Sequence, residues 1–300
     1  MPGPMTPRIW GVLIALSVVW GTSFFFAAVS LTGFPPFTIV LGRVAIAAAV
    51  LAVACHMLGL GLPRGRDAWL ACAGMGFLNN ALPFSLIIAG QQHIPSGLAA
   101  VVNATTPVFA VLCAHALTRD EKLTANRLAG ALTGLAGVAL LAGPAAFAAG
   151  HGSELLGIAL CLGASLSYGL SGVWARRVRR AGLAPIPAAT GQCACSLLMM
   201  LPLVLVFDRP WQLPAPPGAA VAALIAFGLL STALAYVLFY AIIEKAGATN
   251  AMLVTLLVPV TALLLGTAVL GEALAPRHLA GMGVIALGLL LIDGRVFRAR

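Results

Sequence analysis

Twelve neutral side chains that can donate, accept or stack lie deep inside apolar stretches of this chain. They are Trp20 and Ser23 in the first stretch, Asn79 and Asn80 in the third, Asn103 and Thr106 in the fourth, Tyr168 and Ser171 in the sixth, Ser231, Tyr236 and Tyr240 in the eighth, and Thr255 in the ninth. A polar group surrounded by hydrocarbon needs a partner, so each of these either bonds a neighbouring helix or faces a wet cavity. For serine and threonine the first reading is the better one, because their hydroxyls also bond back to their own helix. For the Asn79–Asn80 pair both readings stand, since an amide presents two donors and an acceptor that a wet cavity satisfies readily. The aromatic members, with Trp174, could stack on a planar solute. Phe24, Phe25 and Phe26 read as lipid-facing or core residues, and Trp10, Trp69 and Trp211 as an interfacial belt.

Charge is nearly absent from the same depth. Arg43 is the one ionisable group well inside a stretch, roughly 10 Å from its end by helix rise. It could pair with a carboxylate or a phosphate, snorkel outward, or brace the bundle through backbone carbonyls, and bracing is slightly favoured. Glu121, Glu244 and Glu272 fall at stretch ends, and His56, His93, His115, His151 and His278 fall at ends or in loops. A membrane-embedded proton relay is therefore not expected. A fixed cation would find no counter-ion, and a sugar phosphate would want a second buried cation. A neutral, zwitterionic or aromatic solute remains. Intramembrane catalysis is a weaker alternative, because Ser165, Ser167 and Ser171 have no histidine at their depth. Cys193 and Cys195, two residues apart, point to different helix faces, which is poor metal geometry. No catalytic residue, metal or cofactor is expected.

Three prolines, Pro83, Pro107 and Pro259, lie mid-stretch, each four residues after a polar side chain: Asn79, Asn103 and Thr255. A helical proline leaves the carbonyl four residues earlier without its donor. The result is either a fixed kink or a hinge with a polar backbone spot at membrane depth. Kink with hinge is favoured for Pro107 and Pro259.

The elements that must hold these residues are long apolar helices. Hydrophobic residues make up 61% of the 300 positions and charged residues only 8%, against about 25% charged in soluble domains. Ten stretches near the ~20 residues a bilayer requires run roughly over 9–31, 36–60, 68–91, 94–118, 126–147, 155–178, 185–207, 218–243, 248–270 and 278–292. With the N-terminus inside, alternation places fourteen of the 17 lysines and arginines on the cytoplasmic side. Only Arg209 and Arg277 fall outside, with Arg43 in a span. The net charge of +9 is thus a topology signal, with both termini cytoplasmic. The run Arg176-Arg177-Val178-Arg179-Arg180 is an orientation anchor, and nucleic acid is not an expected partner. Gly130, Gly134 and Gly137 in the fifth stretch permit close helix approach and read as packing or dimerisation elements.

The chain also repeats itself. The offset of 152 residues from Pro107 to Pro259 carries Ala81-Leu82 onto Ala233-Leu234, Phe84 onto Tyr236 and Val102 onto Val254. After a one-residue gap, Glu121 faces Glu272 and Leu128-Ala129-Gly130 faces Leu279-Ala280-Gly281. Each half holds about five spans, an odd number, so the halves are expected to be inverted relative to one another.

The doubled proline, the loop glutamate and the following Leu-Ala-Gly, with Trp20-Gly21-Thr22-Ser23-Phe24 in the first span and Gly42-Arg43 in the second, resemble the drug/metabolite transporter superfamily. The resemblance is to its EamA-type exporters, and within them most closely to the aromatic amino-acid exporter subgroup. Asp120 departs from the pattern, which usually has a small residue there. The resemblance implies an all-α, ten-helix fold of two five-helix repeats, residues 1–150 and 151–300, in a bacterial inner membrane. It implies export of small metabolites, amino acids or amphiphilic drugs. With the residues above, the expected activity is facilitated export of a small molecule by alternating access, without strong proton coupling, and the twelve side chains become the expected substrate path. A proton-coupled drug or quaternary-amine exporter is the alternative. The expected partners are substrate and lipid bilayer, with the chain a monomer or weak homodimer.

Overall fold

A computed structural model describes residues 6–119, 123–143, 152–247, 251 and 253–293. Among these, every regular element is a helix. In chain order they are α1 Pro7–Ser30, α2 Pro36–Met57, α3 Arg66–Gly90, α4 Ser96–Leu117, α5 Ala125–Ala142, α6 Gly152–Arg180, α7 Pro185–Leu203, α8 Gly218–Ala246, α9 Val254–Ala268 and α10 Pro276–Asp293. The first eight, α7 counted with the turns that follow it, are long and apolar enough to cross a bilayer; α9 and α10 are apolar but shorter. Residues 248–250 and 252, expected in the ninth span, lie outside the described set, as do Asp120, Glu121, Lys122 and His151.

Proline and glycine set many of the boundaries. Pro36 and Pro185 open α2 and α7, where a missing N–H costs nothing. Thr6 and Thr124 cap α1 and α5 by accepting from Ile9 N and Arg127 N. Gly143 ends α5 at φ 69° and ψ 168°, a region open essentially to glycine alone.

Small and branched residues fill the interior: Leu13, Leu16, Leu98, Val102, Ala164 and Val254 are all buried. The outer surface is apolar too, with Leu132 61% and Leu198 69% exposed. Such a surface is at rest only in lipid. Trp10, Trp69 and Trp211 are exposed near helix ends.

Helix partners follow one rule. α2 packs on α7 and α5 on α10; α4 packs on α6 as α9 does on α1; and α3 packs on α7 as α8 does on α2. Adding five to a first-half helix number, or subtracting five from a second-half one, exchanges the members of each set. The α5–α10 crossing has almost no room for side chains. A Cβ on Gly130 would lie 2.5 Å from the Gly288 carbonyl oxygen, and one on Gly281 would lie 2.8 Å from that of Gly137. The glycine face of α5 is therefore packed against α10 within the chain.

Among the described residues, regular helix fails at four places, two of which match between the repeats. α3 widens to π-helix over Gly76–Ala81 and α8 over Leu229–Leu234. α4 is broken at Ala104–Thr105, between Ser96–Asn103 and Thr106–Leu117. α7 runs on into a π turn over Val204–Asp208.

Candidate functional site

A cavity of ≈ 490 Å³ lies between α1, α3, α4, α6, α8 and α9, with Arg43 reaching in from α2. Of the twelve side chains singled out above, ten line it: Trp20, Ser23, Asn79, Asn103, Thr106, Tyr168, Ser171, Ser231, Tyr236 and Thr255. Asn80 and Tyr240 stand outside the lining. Pro83, Pro107 and Pro259 also lie off it. Phe24, expected in lipid or core, is buried and forms part of the lining. Trp174 is a correction in the other direction. Its indole N–H donates to the Ala71 carbonyl at 3.0 Å, and Arg177 sits over its ring, so it locks α6 to α3 away from the cavity.

The hydroxyls mostly bond to backbone. Ser23 donates to Trp20 O at 2.5 Å, Thr106 to Asn103 O at 2.7 Å and Ser231 to Val19 O in α1 at 2.9 Å. These bonds leave lone pairs rather than donors facing inward. Ser171 differs in that it also reaches Asn79 Oδ1, at 3.1 Å.

Two polar joints hold the π segments. In the first, the Tyr236 hydroxyl donates to Asn80 Oδ1 at 2.6 Å and accepts from Gln192 Nε2 at 2.6 Å. Asn79 Nδ2 donates to the same hydroxyl at 3.2 Å, and Ser196 of α7 donates to the Gly76 carbonyl at 2.9 Å. In the second joint, Arg43 Nε donates to Thr232 Oγ1 at 2.7 Å and Nη2 to the Ser231 carbonyl at 3.4 Å. The guanidinium carbon lies 3.6 Å from the centroid of Phe84 and 4.1 Å from that of Phe227. Arg43 is 7% exposed, so it does not snorkel. Cation–π contact in a desolvated setting is worth about 2 kcal/mol.

The ends of the cavity differ. Arg179, near the C-terminal end of α6, lines it and is exposed, so the cavity opens there. Gln91, following the last residue of α3, lines the far end, and its amide nitrogen and oxygen are both buried without a partner among the described residues. Beside that end, Glu272 crosses from the α9–α10 loop to accept from Ser96 N at 2.7 Å and Gly97 N at 3.0 Å. Its carboxylate closes the first turn of α4, where unpaired N–H groups and the helix dipole favour an anion.

This arrangement can be set beside known proteins. The model of the EamA-like transporter family matches twice, over residues 8–143 and 155–293. The chain belongs to the EamA-like transporter family. It is 27% identical to a Streptantibioticus cattleyicolor protein named "Probable terminal-alkyne amino-acid exporter", across 99% of this chain and 96% of that one. It is 30% identical to the "Uncharacterized inner membrane transporter YedA" of Escherichia coli, across 95% and 90% of the two chains. A crystal structure with 22% sequence identity superposes with a TM-score of 0.67, covering 95% of this chain and 97% of that one, and has the same fold.

Several features of this EamA-like transporter were not found from the residues alone. Gln192 carries the first joint, yet it sits among small residues in Thr190-Gly191-Gln192 and was passed over; a lone amide inside an apolar stretch was the available signal. The prolines also differ from one another. Pro107 stands just after a true helix break, whereas Pro259 lies inside continuous helix and Pro83 follows a π segment. Pro107 and Pro259, equivalent in sequence, are thus unlike in local structure.

Proposed function

We propose that the protein is a multi-pass inner-membrane exporter of small zwitterionic or aromatic solutes, amino acids foremost, working as a facilitated carrier without proton coupling. The observation that carries this reading is the cavity itself, walled by amides, hydroxyls and aromatic rings with Arg43 among them, and with no carboxylate among its described lining residues. A cavity near 500 Å³ suits an amino-acid-sized solute with some water. The name of the Streptantibioticus relative is consistent with this substrate class, and that of the E. coli relative with the membrane.

Two inverted halves, residues 1–150 and 151–300, supply the alternating access. Support comes from the doubled family match and from helix partners that exchange when five is added to or subtracted from each number. Lysine and arginine placement puts both termini and Arg179 on the cytoplasmic side, so the cavity as it stands faces inward. Glu272 then helps seal the outer end. The glycine faces of α5 and α10 are used on each other, which favours a monomer.

The test is reconstitution. Purified protein in liposomes preloaded with unlabelled amino acid should take up the labelled amino acid by counterflow, and an imposed pH gradient should not drive accumulation. Absence of flux for every solute in a panel of amino acids, quaternary amines and nucleosides would overturn the transport reading. Accumulation driven by the pH gradient would overturn the uncoupled mechanism.

A further inference from the structure

We infer that Arg43 is the anion-binding group of the cavity, and that it receives the carboxylate of the amino-acid-class solute proposed above. This rests on the transport reading and narrows its substrate class.

A guanidinium has five N–H donors in a rigid plane. Only Nε and Nη2 of Arg43 bond within the protein, the second at a long 3.4 Å. Nη1 makes no hydrogen bond to any described residue. Phe84 and Phe227 cover the guanidinium face. The edge with unused donors belongs to a residue that lines the cavity. No carboxylate among the described residues pairs with Arg43. The aromatic rings orient the cation but leave its charge unneutralised. A buried charge retained without an acid partner is expensive, and an anion brought in from outside removes that cost. A group acting purely as a brace would be expected to engage its donors more fully.

The planar edge fits a carboxylate, which takes two parallel N–H bonds. A phosphate dianion would keep an excess negative charge, since the other cavity cations, Arg176 and Arg179, lie toward the end of α6.

The experiment screens the twenty amino acids by thermal shift of the purified protein in detergent. The best binder is then compared with its methyl ester and its decarboxylated amine, in thermal shift and as competitors of counterflow. The acid should outcompete ester and amine by at least about tenfold, the scale of one charge-assisted contact. Arg43→Gln should bring the acid-to-ester ratio close to one, while Arg43→Lys keeps part of it. Melting curves without solute verify that each variant is folded, and Thr232→Val, which frees Nε but keeps the charge, serves if Arg43→Gln is not. Equal competition by acid, ester and amine in the native protein overturns the inference. So does an Arg43→Gln variant that weakens all three alike with the ratio unchanged, because that is the signature of a brace. If no amino acid binds, the inference falls. If the acid binds selectively but no solute moves, the transport reading falls and the Arg43 site stands.

Discussion

Replacing Tyr236 by phenylalanine keeps the ring and removes one oxygen, which makes it a clean probe of the joint at the first π segment. That hydroxyl holds Asn80 and Gln192 at 2.6 Å and Asn79 at 3.2 Å. Asn79 lines the cavity, so its freed donor finds water at little cost. Asn80 and Gln192 have no such outlet, being 0% and 1% exposed. They keep the bond from Gln192 Nε2 to Asn80 Oδ1 at 3.2 Å and a weak one from Asn80 Nδ2 to Cys193 Sγ at 3.6 Å. An interhelical bond in a membrane protein averages about 0.6 kcal/mol and reaches about 1.7. Stranding a buried donor adds to that cost. Two short bonds lost in a dry site should therefore cost about 2 kcal/mol. The assay is reversible unfolding in mixed detergent micelles, read by circular dichroism. Combination with Gln192→Leu closes a double-mutant cycle, whose coupling should be about 1 kcal/mol. Tyr240→Phe is the control, because that hydroxyl makes no hydrogen bond among the described residues. A Tyr236→Phe cost below about 0.5 kcal/mol, or two additive variants, would refute the idea that this cluster ties α3, α7 and α8 together.

Gly281→Ala places a Cβ 2.6 Å from that of Leu141 and should destabilise by about 1–3 kcal/mol by forcing α5 from α10. Gly283→Ala has nothing within 4 Å and should not, so equal melting temperatures for the pair would refute the close crossing. Glu272→Ala removes the acceptor for Ser96 N and Gly97 N. It should cost about 1 kcal/mol and speed hydrogen exchange at those two amides, with Glu272→Gln intermediate. Pro107→Ala and Pro259→Ala should each slow counterflow severalfold with little loss of folded protein; unchanged rates would leave both as passive kinks.

Much of the helical framework was legible because lipid imposes a simple rule on sequence. Pro36, Pro185 and Gly218 begin their helices where expected, since proline and glycine punctuate the chain whatever surrounds them. The gathering of Trp20, Asn79, Asn103, Tyr168 and Tyr236 around one cavity follows from their polarity at membrane depth. The π segments were not legible, because a widened turn has no residue signature; it is stabilised by distant partners such as Ser196 on Gly76 and Arg43 on Ser231. Neighbours on a helix point about 100° apart, which leaves Asn79 on the cavity wall and Asn80 behind it. Phe24, read as lipid-facing or core, is core and also borders the cavity; an apolar ring fits lipid, core and cavity wall equally, and only tertiary packing chooses among them.

The two joints show how one duplicated unit comes to treat its ligand asymmetrically. The repeat offset carries Asn79-Asn80 onto Ser231-Thr232 and Phe84 onto Tyr236. Each pair of polar residues lies in a π segment of the third helix of its half. In both cases the partner comes from the second helix of the opposite half: Gln192 meets Asn80 and Tyr236, and Arg43 meets Thr232 and Phe84. The same offset carries Gln192 onto position 40, three residues before Arg43, which is about one helical turn away on the same face. The joint is therefore built twice from corresponding helix faces, with a neutral amide in one and, a turn further along, a cation in the other. The neutral joint is held by short bonds among its own members. The charged joint keeps donors unused and a charge without an acid partner among the described residues, so on the inference above its stability depends on whether an anion is present. A ligand that completes the charged joint and leaves the neutral one unchanged biases the halves differently, and differential stabilisation of this kind is what shifts a two-state equilibrium.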